Sequence, residues 1–312
     1  MRRLVAGTLL LAAVVAATFL LISLAPGDTA DVLAGSSGAD PAYLELLRHH
    51  FHLDRPLPEQ VWAYVVAVGH GDLGYSAVQG APVSDVIRSR LGASLILGGT
   101  ALALAAIGGV AFGVLAAVWR GRALDGVLSL LSLVAYSIPV FWLGQLLIAL
   151  LAVRLHWLPS GGMHSAVGGS GAVDLIRHLV LPSLTLGALL LALVVRVTRA
   201  AMIDALQEDY VTAARARGLP EWRIVLRHAL PNALRPAVTV LTGDLGLVLT
   251  GAVLVETVYT WPGLGRLLYD SVLSRDTPML AGVLLLSAAL VVSANLLADI
   301  FYRLLDPRLG FR

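Results

Sequence analysis

The chain contains no cysteine and no lysine in 312 residues, and charged side chains make up only 13% of it. Without cysteine there are no disulfides, no thiolate zinc sites and no cysteine nucleophiles. Without lysine there is no ordinary Walker A loop, which needs that side chain at the β- and γ-phosphates. All 22 basic residues are arginine, so this chain is not the ATPase half of any machine. Hydrophobic residues make up 58% of it and mean hydropathy is +0.83. A soluble domain of this length cannot enclose that much apolar surface, which makes a membrane the expected solvent. A sequence pI near 9.1 would suit a nucleic-acid partner, but a net charge of +2 with scattered arginines argues against one.

The apolar residues fall into long runs. Leu4 to Ala25 is uncharged, follows Arg2 and Arg3, and ends at Pro26-Gly27-Asp28. About 20 apolar residues cross a hydrocarbon core of about 30 Å. A cleaved signal peptide ending at Ser23-Leu24-Ala25 is the alternative, although such peptides carry a shorter apolar region of about 7–15 residues. Residues 26–90 are a polar insertion. Asp40-Pro41 opens a helix there that stops near Leu53, and a second helix spans Glu59 to Val68 before Gly69, Gly71 and Gly74. Further spans are expected at Leu91–Trp119, Gly126–Val153, Leu179–Val195, Pro236–Tyr259 and Thr277–Ala298. The first of these contains Gly109-Val-Ala-Phe-Gly113, a spacing that lets helices approach closely. In the second, Pro139 breaks the hydrogen-bond ladder. Arg196 and Arg199 close the third.

This is an all-α polytopic membrane protein with about six transmembrane helices. With a cytoplasmic N-terminus, the inner segments hold 14 arginines and the outer ones 8, four of them in the long first loop. Arginine bias therefore places both termini in the cytoplasm. The division is residues 1–25 as first span, 26–90 as extracytoplasmic subdomain, and 91–312 as a five-span core with a cytoplasmic loop at 200–235.

That loop is the odd feature. Ala200 to Arg217 has helical composition, Gly218 can end a helix at positive φ, and Leu219-Pro220 turns the chain into a second short helix closed by Pro231. An inert, solvated loop is the plain alternative. The order Thr212-Ala213-Ala214, Gly218 and Leu230-Pro231, however, resembles the "EAA" loop of ATP-binding-cassette importer permeases. Thr212 replaces the usual glutamate and His228 a common isoleucine, departures that resemble the dipeptide, oligopeptide and nickel permease branch, of its DppB/OppB-like first-permease type. "HLDRPLPEQ" (52–60), "GDLGYS" (71–76), "SIPVFWLG" (137–144), "HWLPSGG" (156–162), "VETVYTWPGLGRLL" (255–268) and "DPR" (306–308) extend the resemblance along the chain.

The resemblance implies the type I importer permease fold and makes the loop a coupling helix seated in a separate ATPase. Tyr210, Thr212, Ala213, Ala214, Arg215, Arg217, Gly218, His228, Leu230 and Pro231 are its expected coupling residues, with arginines free to pair with acidic rims. The implied partners are a second homologous permease, two ATPases and an extracytoplasmic binding protein, in the bacterial cytoplasmic membrane. The cargo is peptides, or alternatively nickel or a metal chelate, and the chain itself needs no cofactor and performs no covalent chemistry.

Other constellations weigh less. Asp244 lies inside a predicted span, where a carboxylate is costly, so it is a candidate for the translocation pathway. The alternative is a structural pairing with an arginine or Thr242. An ion-driven transporter would use Asp244 and Glu256, but the inverted repeat expected of one is not evident. Glu256 is expected to brace Trp261, Pro262 and Gly263 at the outer side. His49, His50 and His52 lack a second group of metal ligands. Gly35-Ser36-Ser37-Gly38 matches a protease motif by letters but has no histidine-bearing span beside it. Trp142, Trp157 and Trp261 are expected to be interfacial anchors.

Overall fold

A computed structural model of the chain describes residues 7, 10–18, 20, 56–165, 171–243 and 245–305. The expected helix from Asp40, the serine loop at 35–38 and the histidines at 49–52 lie outside the described residues, as does half of Leu4–Ala25. The chain divides into two compact units, Met1–Ser94 with Pro262–Ser293, and Leu95–Trp261 with Ala294–Arg312.

In the first unit, helix α1 runs Leu57–Gly69, close to the expected Glu59–Val68. Gly71 at φ +83° and Gly74 at φ +88° then turn the chain. Asp72 Oδ1 accepts from Gly74 N at 2.8 Å, a local bond that fixes the turn. A two-residue hairpin follows, β1 (Tyr75–Ser76) against β2 (Ala81–Pro82), with Ser76 opposite Ala81. The buried Ser76 hydroxyl donates to Asp276, whose other oxygen accepts from Met279 N at 3.3 Å. "GDLGYS" is thus a turn and a latch. Beneath it, Val83, Ile87, Leu264, Leu267, Met279 and Val283 form one core.

Helix α2 (Val83–Val118) runs on into the second unit. There α3 (Ala123–Ser137) and α4 (Val140–Leu147, continued as a π-helix over Ile148–Arg154) meet at Pro139 with a bend of 110°. Pro139 was expected to break the hydrogen-bond ladder of one span; the span is in fact two helices with a sharp bend between them. Helix α5 (Ala172–Leu206) is longer than the expected Leu179–Val195, and neither Arg196 nor Arg199 ends it. Arg199 is tolerated inside because Asp125 of α3 takes it bidentately, at 2.6 Å and 2.9 Å. The close approach foreseen from Gly109 and Gly113 is real. A Cβ at Gly109 would stand 2.6 Å from Val194 of α5, and one at Gly113 would stand 2.6 Å from Thr198.

After α5 come α6 (Asp209–Ala216), α7 (Glu221–Arg223, continued as a π-helix over Ile224–Ala229), α8 (Leu230–Gly243) and α9 (Leu245–Val258). The first unit then adds α10 (Leu264–Leu273) and the start of α11 (Thr277–Leu305), which extends past the expected end at Ala298. Among the described residues, three helices are long and apolar enough to cross a membrane, or four if the bent pair is one span. The expected Pro236–Tyr259 span is helical over its described residues as far as Val258. Asp244 lies outside the described residues.

Candidate functional site

The loop read as a coupling element is a bonded elbow. One arm is α6, the other is α7 with its π extension. Gly218 turns between them at φ +75°, a conformation that costs a side chain about 1–2 kcal/mol. Open space surrounds its missing Cβ, so backbone angle alone requires glycine there. The carbonyls at the end of α6 are capped: Gly218 N donates to Arg215 O at 2.9 Å and Leu219 N to Ala214 O at 3.3 Å. Val211, Ala214 and Ile224, each fully buried, make a small core between the arms, with Leu219 against it.

The expected single helix Ala200–Arg217 is broken at Gln207-Glu208. On a straight helix at about 100° per residue, Val211 would face nearly opposite Met202. The break lets both serve the same second arm. Met202 and Ala205 pack with Val225, Ala229 and Ala233, while Val211 and Ala214 pack with Ile224. Nor does Pro231 close the second arm. It lies in the first turn of α8, directly after the wide π turns, where a missing N–H is tolerated.

The expected coupling residues divide into those that build the elbow and those that face outward. Ala214 is its interior. Arg215 was expected to seek a partner's acidic rim, but it donates Nε to Glu221 at 2.8 Å and straps the arms together. That hydrogen bond holds the Arg215 guanidinium above its ordinary value. Tyr210 accepts from Asn232 Nδ2 at 3.1 Å. His228 and Leu230 are half-buried, Leu230 against the Met202 cluster. Thr212, Ala213, Arg217 and Pro231 are exposed. So is Trp222, at 62%, with the Arg223 guanidinium 5.3 Å from its ring centre. The outer face is therefore small residues, an aromatic and two arginines, Arg217 and Arg223, that have no carboxylate within ion-pair distance among the described residues, all on a rigid frame.

The carbonyl of Glu256 accepts from Trp261 N at 2.8 Å, and its side chain is fully buried. Trp261 is fully buried too, so it is no interfacial anchor. The positive-φ turn at Thr260 (φ +48°) carries it inward. Pro262 is half-buried and Gly263 caps α10.

Sequence inspection did not foresee a polar node joining "HWLPSGG" to "VETVYTWPG". Gly162 N donates to Tyr259 O at 2.8 Å, and a Cβ on Gly161 would stand 2.5 Å from that same oxygen. The Tyr259 hydroxyl is shared with Thr185 at 2.8 Å and Gly144 O at 3.1 Å. Buried His178 is bonded through both ring nitrogens: Nδ1 lies 3.0 Å from Gly161 O, and Nε2 lies 3.2 Å from the Ser165 hydroxyl. The two motifs are spatial partners. Only their glycines hinted at it.

Residues 1–98 match the family described as binding-protein-dependent transport system membrane component, N-terminal part, and residues 109–311 the inner membrane component of the same systems. The glutathione transport system permease protein GsiC of Escherichia coli O6:H1 (strain CFT073) is 42% identical over 294 residues, covering 94% of this chain and 92% of that protein. The probable D,D-dipeptide transport system permease protein DdpB of Escherichia coli K12 is 41% identical over 321 residues, covering 97% of this chain and 94% of that one. In fold, the chain resembles the inward-facing MetNI methionine ABC transporter, with a TM-score of 0.57 at 20% identity, over 71% of this chain and 96% of that one. Family match, permease relatives and the elbow on its helical bundle agree: the chain belongs to the binding-protein-dependent transport system inner membrane components, and is a permease subunit of an ABC importer.

Proposed function

We propose that this permease imports peptides, working with a second homologous permease, two ATPases and an extracytoplasmic binding protein in a bacterial cytoplasmic membrane. The relatives named for glutathione and D,D-dipeptides support the cargo class. The elbow is the observation that carries the mechanism. Its arms share a core and an Arg215–Glu221 strap, so a push on its outer face moves α5 and α8 as bodies rather than deforming a loop. Arg217, Arg223 and Trp222 are the surface offered to the ATPase, a combination that suits an acidic, grooved partner. Residues 26–90 face the binding protein, with Glu256, Trp261, Pro262 and Gly263 shaping the outer end of the passage. Asp244 is a passage carboxylate in this proposal. Asp244→Asn is then expected to assemble normally and to lose uptake of cationic peptides more than of anionic ones. Equal rates for both classes count against it.

Gly218→Val tests the elbow. The strain is about 1–2 kcal/mol and local, so the chain is expected to insert and fold. Co-purification with the ATPases, or hydrolysis stimulated by loaded binding protein, is expected to fall at least tenfold. Normal uptake by this variant would show that the elbow is not the coupling element. ATP-driven uptake of a nickel chelate but of no peptide would reassign the cargo.

A further inference from the structure

An apolar groove of about 570 Å³ lies between α2 and the elbow's second arm. Ile107, Ala111 and Leu115 stand on one wall, with Leu226 and Leu230 on the other, and every side chain lining it is aliphatic. Ile107 is 74% exposed and Leu226 54%, so the walls stand open. Helix α2 is long and apolar enough to cross a membrane. The groove follows it from Ala106 to Leu115, which at the helical rise is a length of about 14 Å. A slot with aliphatic walls, laid along a membrane-crossing helix, has the shape and polarity of an acyl-chain site.

One end of the groove carries charge. Ala117 of α2 packs with Val225 and Ala229 of the arm, and this gathers the arginines that flank those contacts. Arg227 lies between Val225 and Ala229 in the chain, while Arg120 and Arg122 follow closely after Ala117. All three are exposed, and among the described residues none has a carboxylate within ion-pair distance. Trp119, 37% exposed, extends the stripe of Ile107, Ala111 and Leu115 by one more step of four residues. Tryptophan beside arginine, at the end of an apolar stripe, is the composition of a membrane–water interface. A guanidinium is weakly hydrated and pairs with phosphate through two parallel N–H bonds. We propose that the groove binds one anionic phospholipid, with an acyl chain between α2 and the arm and the phosphate on Arg227, Arg120 and Arg122. Three gathered cations without a carboxylate favour a headgroup of net negative charge over a zwitterionic one. The arm that forms one wall also carries Trp222 and Arg223, so the lipid would brace the elbow from its membrane side. The site itself depends on neither the peptide cargo nor the ATPase seat proposed above.

The test uses the complete transporter in phosphatidylcholine vesicles doped with a photoreactive lipid. The probe is phosphatidylglycerol bearing a diazirine on one acyl chain, and its control is phosphatidylcholine bearing the same diazirine. After illumination, labelled peptides of this chain are mapped by mass spectrometry. The phosphatidylglycerol probe is expected to label residues 106–115 and 226–230 about tenfold more than the control does. Arg227→Gln combined with Arg120→Gln is expected to bring the two probes within about twofold of each other. Ala111→Phe, which adds bulk at an exposed wall position, is expected to lower labelling by both. Arg154→Gln, an exposed arginine outside the groove, is expected to change neither. Equal labelling of the wild-type groove by the two probes overturns the anionic site. A groove free of label in the assembled transporter means that a protein subunit covers it, and overturns the lipid altogether. Should the arginine variants fail to assemble, the comparison of the two probes on wild type decides alone. Uptake is not read, so a transporter that moves no peptide would sink the cargo proposal and leave this test standing.

Discussion

Asp125 shows how a single residue escapes sequence inspection. It is an ordinary acid in the first turn of a helix, and Arg199 reads as a charge that closes a span. Their pairing depends on α3 meeting α5, at a sequence separation of 74. Asp125 also accepts from Gly121 N at 3.0 Å and lies near Ser129 Oγ at 3.3 Å, so the carboxylate ties a turn and two helices together. Its side chain is 8% exposed and that of Arg199 31%, so solvent still reaches the guanidinium. Removing one partner of a fully buried pair costs about 3–5 kcal/mol. With the arginine partly solvated, Asp125→Asn is expected to cost nearer 2 kcal/mol, read as a lower unfolding temperature in detergent. Asp125→Asn combined with Arg199→Gln is expected to lose less than the two single changes added together. Strict additivity would mean that the pair contributes no coupling. Gly218, by contrast, was legible from the sequence alone. A glycine before Leu-Pro, after a helical run, has few uses other than a positive-φ stop.

At the scale of elements, periodicity and hydropathy located most helices, and missed where they bend. Hydropathy does not register the break at Gln207-Glu208, because the break exists to align two side-chain pairs against an arm that comes later in the chain. The same holds for the π turns at Ile224–Ala229, which make room for Pro231. What was legible was close packing. Gly109 and Gly113 are spaced for helix contact, and α5 answers with Val194 and Thr198. Gly113 has the least room to yield, because its Cβ would also meet a backbone oxygen, Val195 O, at 2.9 Å. Gly113→Val is therefore expected to cost about 3 kcal/mol or to prevent folding, since helices rather than side chains must part. Gly126→Ala is the contrast. That glycine lies in α3 with nothing within 4 Å of its Cβ, so alanine is expected to stabilise by about 0.5–1 kcal/mol. Thermal unfolding of both in detergent checks the pair. Equal effects at the two positions would show that the α2–α5 contact is looser than this geometry.

For the whole molecule, the open question is whether the chain between α2 and α5 crosses the membrane. The bent pair Ala123–Ser137 and Val140–Arg154 is apolar enough to cross as a unit, but its 110° bend also suits a re-entrant loop. The two arrangements differ in parity. If the pair crosses, three crossings separate the hairpin at Gln79 from the elbow, and the two lie on opposite sides. If it re-enters, only α2 and α5 cross, and they lie on the same side. The arginines favour a crossing, with Arg120 and Arg122 before the pair and the elbow's arginines after α5 collected on one side. Because the chain has no cysteine, every introduced thiol is a unique reporter. Gln79→Cys and Ala216→Cys replace exposed residues, and Val173→Cys replaces one that is 74% exposed at the start of α5. In intact cells, a membrane-impermeant maleimide is expected to label positions 79 and 173 and to spare 216 until the membrane is opened. Labelling at 216 is then expected to drop when the ATPases are bound, since the elbow is their proposed seat. Labelling at 79 and 216 together, with 173 protected, would make the bent pair re-entrant and reverse the assignment of the elbow to the cytoplasm.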